Sequence, residues 1–151
     1  MISSGGDKVW HIIASVSLVA AICTCVAAIR SARQVRLRSE RSGESFETFF
    51  EHFSGEQISE HLCLVIYRYL QRLVIRDFPV RPTDDLTKVY GIGKYAGVGF
   101  LEAIDDLCDE LGIEVPSNEE LSSVVNELGS VRKVEDLVRL FSHLQRRASQ
   151  M

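Results

Sequence analysis

The densest glycine stretch, YGIGKYAGVG at 90–99, is the first place where the residue types could support chemistry. Gly91-x-Gly93-x-x-x-Gly97 faintly resembles the loops whose backbone approaches the phosphates of a dinucleotide. Such loops require a preceding β-strand, whereas a predicted short helix and a proline-containing loop precede this one. No Gly-Lys-Ser/Thr follows, which excludes a phosphate-binding P-loop. We therefore expect a loop with positive-φ glycines rather than a phosphate site.

Carboxylates between positions 102 and 114 are the second candidate, because paired carboxylates can act as general acid and base. Their spacing is that of an ordinary solvated helix face, and the serines that could act as nucleophiles cluster in linkers and helix caps. We therefore expect no catalytic residue and no cofactor. The acidic side chains that we expect to form a partner surface are Asp105, Asp106, Asp109 and Glu110.

Metal ligation is the third candidate chemistry, and the sequence does not favour it. The four histidines are scattered, and no C-x-x-C or H-x-x-x-H motif occurs. Cys23 and Cys25 lie in an apolar run and point to different helix faces, so a disulfide between them is not expected. Cys63 and Cys108 fall on the apolar sides of predicted helices, and we expect both to be buried and reduced.

The elements that position these residues begin with an apolar run near the N-terminus. Residues 12–29 carry no charge. A helix over 10–30 would be roughly 31 Å long, which is enough to cross a hydrocarbon core. Positive residues follow it, which predicts a single-pass helix with the N-terminus outside the cell membrane and the C-terminal domain in the cytoplasm. The residues expected at lipid headgroups are Trp10, Arg30, Arg33, Arg36, Arg38 and Arg41.

A cleaved signal peptide is the alternative for this segment. Val26-Ala27-Ala28 resembles a cleavage site, and Lys8 could serve as the positive n-region. The apolar run is longer than in most signal peptides, and the arginines directly after it would hinder translocation. A retained helix is therefore the favoured prediction.

Charge is divided sharply along the chain, although the net charge is only −4. Residues 30–41 hold five arginines and one glutamate, whereas residues 42–151 hold 11 basic and 19 acidic side chains. The acidic domain argues against a nucleic acid as partner. The partners that the charges favour are the bilayer for the arginines and a protein with a basic surface for the acidic domain. The sequence does not indicate an oligomeric state.

Apolar periodicity predicts an all-α chain, because no segment alternates with the two-residue period of a strand. Phe46, Phe49, Phe50 and Phe53 mark one face of a short helix, which either packs on the core or docks flat on a bilayer; packing is favoured because glutamates line its polar face. Longer helices are predicted over 57–75, 98–111, 118–128 and 134–147, with Leu101, Ile104, Leu107, Cys108 and Leu111 facing inward in the second. The predicted divisions are an outer tail (1–9), a transmembrane helix (10–30), a basic linker with the Phe-rich helix (31–55), an acidic domain (56–147) and a tail (148–151).

Part of this domain resembles an acyl carrier protein. LEAIDDLCDELGIEVP at 101–116 is similar to the second helix of that family and the phrase that follows it, and VEDLV at 134–138 is similar to its closing helix. Asp84-Asp85-Leu86 lies in a wide loop after a long first helix, as in the family. The resemblance spans about 57–144 and implies a small four-helix bundle.

The resemblance fails at the position that carries the family's chemistry. The family's Asp-Ser-Leu triplet, whose serine holds phosphopantetheine, falls on Ala96-Gly97-Val98. No serine or threonine lies between Lys88 and Pro116, so the arm has no hydroxyl to attach to. We therefore expect a membrane-anchored, non-catalytic interaction or scaffold domain with a degenerate carrier-like fold. The alternatives are a carrier modified at an unrecognised residue and an unrecognised membrane-bound enzyme.

Overall fold

A computed structural model describes residues 6–93 and 98–148, and it leaves aside the side chains of 6–15, 23, 26, 27 and 30. The helices are α1 (Gly6–Glu40), α2 (Phe46–Glu51), α3 (Glu60–Arg72), α4 (Phe100–Leu111), α5 (Asn118–Leu128) and α6 (Val134–Ala148). A single π-helical turn covers Leu86–Tyr90. These described ranges contain no β-strand beyond one isolated bridge between Asp85 and Lys133. The prediction of a helical bundle is confirmed.

The prediction of a transmembrane helix over 10–30 is wrong for the part of the chain that the structure describes, where no helix is both long and apolar enough to cross a membrane. The predicted location at the cell membrane, with the domain in the cytoplasm, stays a prediction.

The bundle is built around α3. This helix contacts α2, α4 and α6, and α5 packs on α6. Ser59 begins α3 as its N-cap, accepting the N–H of Leu62 at 3.2 Å. Along α3 the apolar residues at helical spacing lie on the inner side of the helix. Leu62, Ile66 and Leu70 are fully buried.

The phenylalanines of α2 belong to the core, as predicted. Phe49 and Phe53 are each 1% exposed, and Phe46 and Phe50 pack half-buried against them. The rings of Phe46 and Phe49 meet Tyr67 edge-on, with centroids 5.5 and 5.2 Å apart. This aromatic cluster packs α2 against α3.

The predicted core is right for most of α4 and wrong at Leu101. Ile104, Leu107 and Cys108 are buried, and Leu111 is half-buried. Leu101 is 56% exposed, because the buried face of α4 is centred on Ile104 and Leu107 and the position of Leu101 lies at its edge.

The short helix predicted before the glycine stretch is the π-helical turn Leu86–Tyr90. Asp85 is its N-cap and accepts the N–H of Lys88 at 2.8 Å. Asp84 does not cap a helix; its side chain is buried. This placement gives Asp84 a different role, described below.

Candidate interaction surface

The outer face of α4 carries a row of exposed residues, which we call the acidic strip: Leu101, Asp105 and Asp109. Residues four apart on a helix lie above one another, so the three side chains form one line along the helix. Asp105 and Asp109 have no ion-pair or hydrogen-bond partner among the described residues. The strip is therefore free to meet another molecule.

Local contacts fix the orientation of α4. The Gly99 N–H donates to Glu102 Oε2 at 3.2 Å where the helix begins. Gly112 ends it with φ of 64°, a left-handed conformation that glycine adopts without strain. Ala103, Ile104, Leu107 and Cys108 are buried on the inner side. Because this inner face is held in the core, the acidic strip points outward.

The other two predicted partner residues are used within the bundle. Asp106 accepts the hydroxyl proton of Tyr69 at 3.2 Å, and Glu110 forms an ion pair with Arg72. Both carboxylates are exposed, but they lie at the seam between α3 and α4. Of the four acids that the sequence singles out, Asp105 and Asp109 are the two without a described partner.

The predicted headgroup arginines do not form one uniform exposed group. Arg33 is exposed, Arg36 pairs with Glu40 one turn later at 2.8 Å, and Arg38 is half-exposed. The side chains of Trp10 and Arg30 lie outside the described part of the structure. The fourth arginine with a described side chain, Arg41, is buried.

Arg41 forms a buried ion pair with Asp84. Its two terminal nitrogens donate to the two carboxylate oxygens at 2.7 and 2.5 Å, and both side chains are 5% exposed. Arg41 also donates to the backbone oxygen of Pro79 at 3.0 Å and lies 5.1 Å above the Phe78 ring. A guanidinium held in this way cannot reach a lipid headgroup.

Tyr90 completes this buried cluster, which we call the clasp: Arg41, Asp84 and Tyr90. The Tyr90 hydroxyl donates to Asp84 Oδ2 at 2.7 Å, and the backbone N–H of Arg81 donates to the same oxygen at 3.0 Å. Burial, and then the Asp84 carboxylate, raise the pKa of Tyr90 above its ordinary 10.0. The clasp is closed to solvent, and within the described residues the Nε of Arg41 is its one buried polar side-chain atom without a hydrogen-bond partner. The clasp therefore holds two segments of the fold together.

The clasp fastens the end of α1 to the loop before the π turn. Nearby, Gln34 donates to the Val89 backbone oxygen at 3.2 Å in a buried contact. Arg81 forms an ion pair with Glu44, and its Nε donates to Glu44 Oε2 at 2.7 Å. The segment around residues 34–44 and the segment around 79–90 are thereby held together.

Alkaline pH should destabilise the protein through Tyr90. The folded state holds this phenol neutral, so its contribution to stability is present below pH 10 and is lost as pH rises above it. Above pH 10 the unfolding free energy of the unaltered protein should fall as pH rises. In Tyr90→Phe this fall should be shallower by about 1.4 kcal/mol per pH unit. Urea unfolding between pH 8 and 11 measures this slope; an equal slope in both proteins would contradict it.

The two buried cysteines are poor nucleophiles. Burial raises the pKa of Cys63 to about 12 and that of Cys108 to about 11. Both are free thiols, as predicted. Among the side chains that the structure describes, no group of three or more from histidine, cysteine and acidic residues is arranged to hold a metal ion.

The glycine stretch serves turn geometry where the structure describes it. Gly91 ends the π turn with φ of 75°. Gly93 has φ of 155°, and a Cβ there would lie 2.9 Å from Thr87 Oγ1. A π turn rather than a β-strand precedes these residues. Gly97, the position of the missing carrier serine, lies outside the described residues.

A second charged row escaped the sequence analysis. Arg68, Arg72 and Arg76, which we call the basic row, line a groove of about 520 Å³ at the end of α3, with Val74 also in its lining. Arg68 and Arg76 are exposed, and Arg72 is 56% exposed despite its pair with Glu110. The four-residue spacing of Arg68 and Arg72 on α3 is the sequence signal that indicates such a row, and Arg76 follows in the turn after the helix.

No protein-family model, curated protein or solved structure matches this chain. The resemblance to acyl carrier proteins therefore rests on the sequence at 101–116 and 134–138 and on the loop at 84–86, and it stays a prediction.

Proposed function

We propose that this chain is a non-catalytic interaction domain whose acidic strip meets a protein with a basic surface. One observation carries the proposal. Among the large apolar side chains described after residue 41, only Leu101 and Val115 are exposed, and Leu101 lies in line with Asp105 and Asp109. An exposed leucine beside unpaired carboxylates combines an apolar contact with charge complementarity, which sets specificity and the rate of encounter.

The chemistry of the described residues supports a binding role. The clasp is closed to a substrate, and the two buried cysteines stay protonated near neutral pH. The acidic strip lies on a regular helix rather than on a loop, and the inner face of that helix is buried in the core. Such a position suits a recognition surface.

A carrier-like ancestry is part of the same proposal. The helix order α3, α4, α5 and α6, with the loop holding Asp84 and Asp85 after α3, supports it. In this proposal the fold persists as a scaffold while the hydroxyl that carried the family's chemistry is absent, since position 97 is glycine.

Charge reversal tests the proposed function. We expect Asp105→Lys/Asp109→Lys to abolish capture of the partner from extracts of the native host, because a basic surface would be repelled. The matched control is Glu47→Lys/Glu51→Lys on α2, which has the same spacing and the same change of charge. The control should keep the partner.

The captured proteins are identified by mass spectrometry after chemical cross-linking. Cross-links from α4 to basic segments of the partner, lost in the α4 variant and kept in the α2 variant, are the expected result. Equal capture by all three proteins, or loss in the α2 variant instead, would contradict the proposal.

A further inference from the structure

The helices α3 and α4 lie side by side and run in the same direction. The Tyr69 hydroxyl donates to Asp106, 37 residues later, and Arg72 pairs with Glu110, 38 residues later. A residue of α3 is therefore level with the residue of α4 that follows it by 37 or 38 positions. The two contacts form the seam between the helices.

This register places two complementary rows at the same height on the two sides of the seam. On α3 the row is Leu64, Arg68 and Arg72; on α4 it is the acidic strip of Leu101, Asp105 and Asp109. Each residue of the first row is level with its counterpart 37 positions later. Leucine thus lies level with leucine and each arginine with an aspartate.

The side chains of both rows are accessible. Arg68 and Asp105 are exposed, and neither has an ion-pair partner among the described residues. Leu64 is half-buried and Leu101 is exposed. The charges of Arg68, Asp105 and Asp109 therefore have no partner among the described residues, whereas Arg72 is exposed but also pairs with Glu110.

Such a face is complementary to itself. A two-fold axis parallel to α3 and α4 keeps each residue at its height and exchanges the two sides of the seam. It places Leu64, Arg68 and Arg72 of one copy opposite the acidic strip of the other. Every contact then occurs twice, as a two-fold interface requires.

We propose that the partner of the acidic strip is a second copy of this chain, bound across the α3–α4 face. Arg68 of each copy lies opposite Asp105 of the other, Arg72 opposite Asp109, and Leu64 opposite Leu101. This inference rests on the proposed function, because it names the protein with a basic surface.

Sedimentation equilibrium of the full-length chain tests the dimer. We expect a dimer at low salt whose dissociation constant rises with ionic strength, because screening weakens exposed ion pairs. Arg68→Glu alone and Asp105→Arg alone should each raise the dissociation constant by about tenfold or more, since each puts like charges opposite one another twice. Arg132→Glu and Glu51→Arg, matched changes at exposed positions elsewhere, should leave it unchanged.

Mixing the two single variants gives the decisive result. When an Arg68→Glu chain meets an Asp105→Arg chain, both contact sites again pair opposite charges, so an equimolar mixture should dimerise although neither variant does alone. The double variant Arg68→Glu/Asp105→Arg should dimerise for the same reason. Failure of both the mixture and the double variant to recover association would overturn the proposal.

The remaining outcomes separate this inference from the proposed function. A chain that stays monomeric in every condition, or that associates equally in all variants, overturns the dimer. If such a chain still captures a basic partner through Asp105 and Asp109, the proposed function stands without the dimer. If it captures none, both fail.

Discussion

Asp84→Asn should lower the unfolding free energy by about 3–5 kcal/mol, because it leaves the Arg41 guanidinium buried without a counter-charge. The amide keeps the shape of the carboxylate, so the loss reports the missing charge and the missing hydrogen-bond acceptor rather than packing. Domains of this size are stable by only about 5–15 kcal/mol, and the change would consume much of that margin. Urea unfolding followed by circular dichroism measures it.

Asp77→Asn is the matched control for this prediction. Asp77 lies in the same segment and is exposed, and its ion pairs with Arg38 and Arg76 are both long, at 3.8 Å. Its φ of 57° suits asparagine, so the same chemical change there should cost less than about 0.5 kcal/mol. Equal losses in the two variants would show that Arg41 and Asp84 are not a buried pair.

A double variant separates pairing from the cost of an orphaned charge. Arg41→Met with Asp84→Asn removes the buried charge altogether, and it should cost less than the sum of the two single changes. Additive losses would contradict the clasp as described.

Leu107→Ala should cost about 2–5 kcal/mol, because this side chain is fully buried and its truncation leaves a cavity between α4 and the rest of the core. Leu101→Ala is its control on the same helix. At 56% exposure Leu101 contributes little to the core, so its truncation should change the unfolding free energy by less than about 0.5 kcal/mol.

Thermal and urea unfolding of both leucine variants give the comparison. A large loss at Leu101 with little loss at Leu107 would mean that α4 presents a different face to the core, and the acidic strip would no longer point outward.

The helices were predictable where apolar periodicity and end signals agree. The helix predicted over 118–128 coincides with α5, because Ser117 caps it. The helix predicted over 134–147 matches α6 to within one residue, because its apolar period is regular. Leu101 was misplaced because it is at the border of the buried face, where a helical period alone does not decide. The transmembrane prediction was made from the uncharged run at 12–29 and the arginines after it, and no helix in the described part of the chain is long and apolar enough to cross a membrane.

The clasp could not be predicted from the sequence for a different reason. Arg41 and Asp84 are 43 residues apart, and nothing in the local pattern of either indicates the other. Arg41 was therefore predicted to lie at the lipid headgroups with the other arginines that follow the apolar run. The charge match between Arg68 and Arg72 on α3 and the acidic strip on α4 depends on how the two helices are aligned. Only the tertiary contacts of Tyr69 and Arg72 show this alignment.

Site-specific photo-cross-linking from position 101 tests the interaction surface most directly. A photoreactive amino acid in place of Leu101 leaves Asp105 and Asp109 intact, and one in place of Glu51 on α2 is the control position. We predict an adduct from position 101 in living cells, joined to a basic segment of the bound protein, and none from position 51. An adduct from position 51 alone, or none from either position, would contradict α4 as the interaction surface.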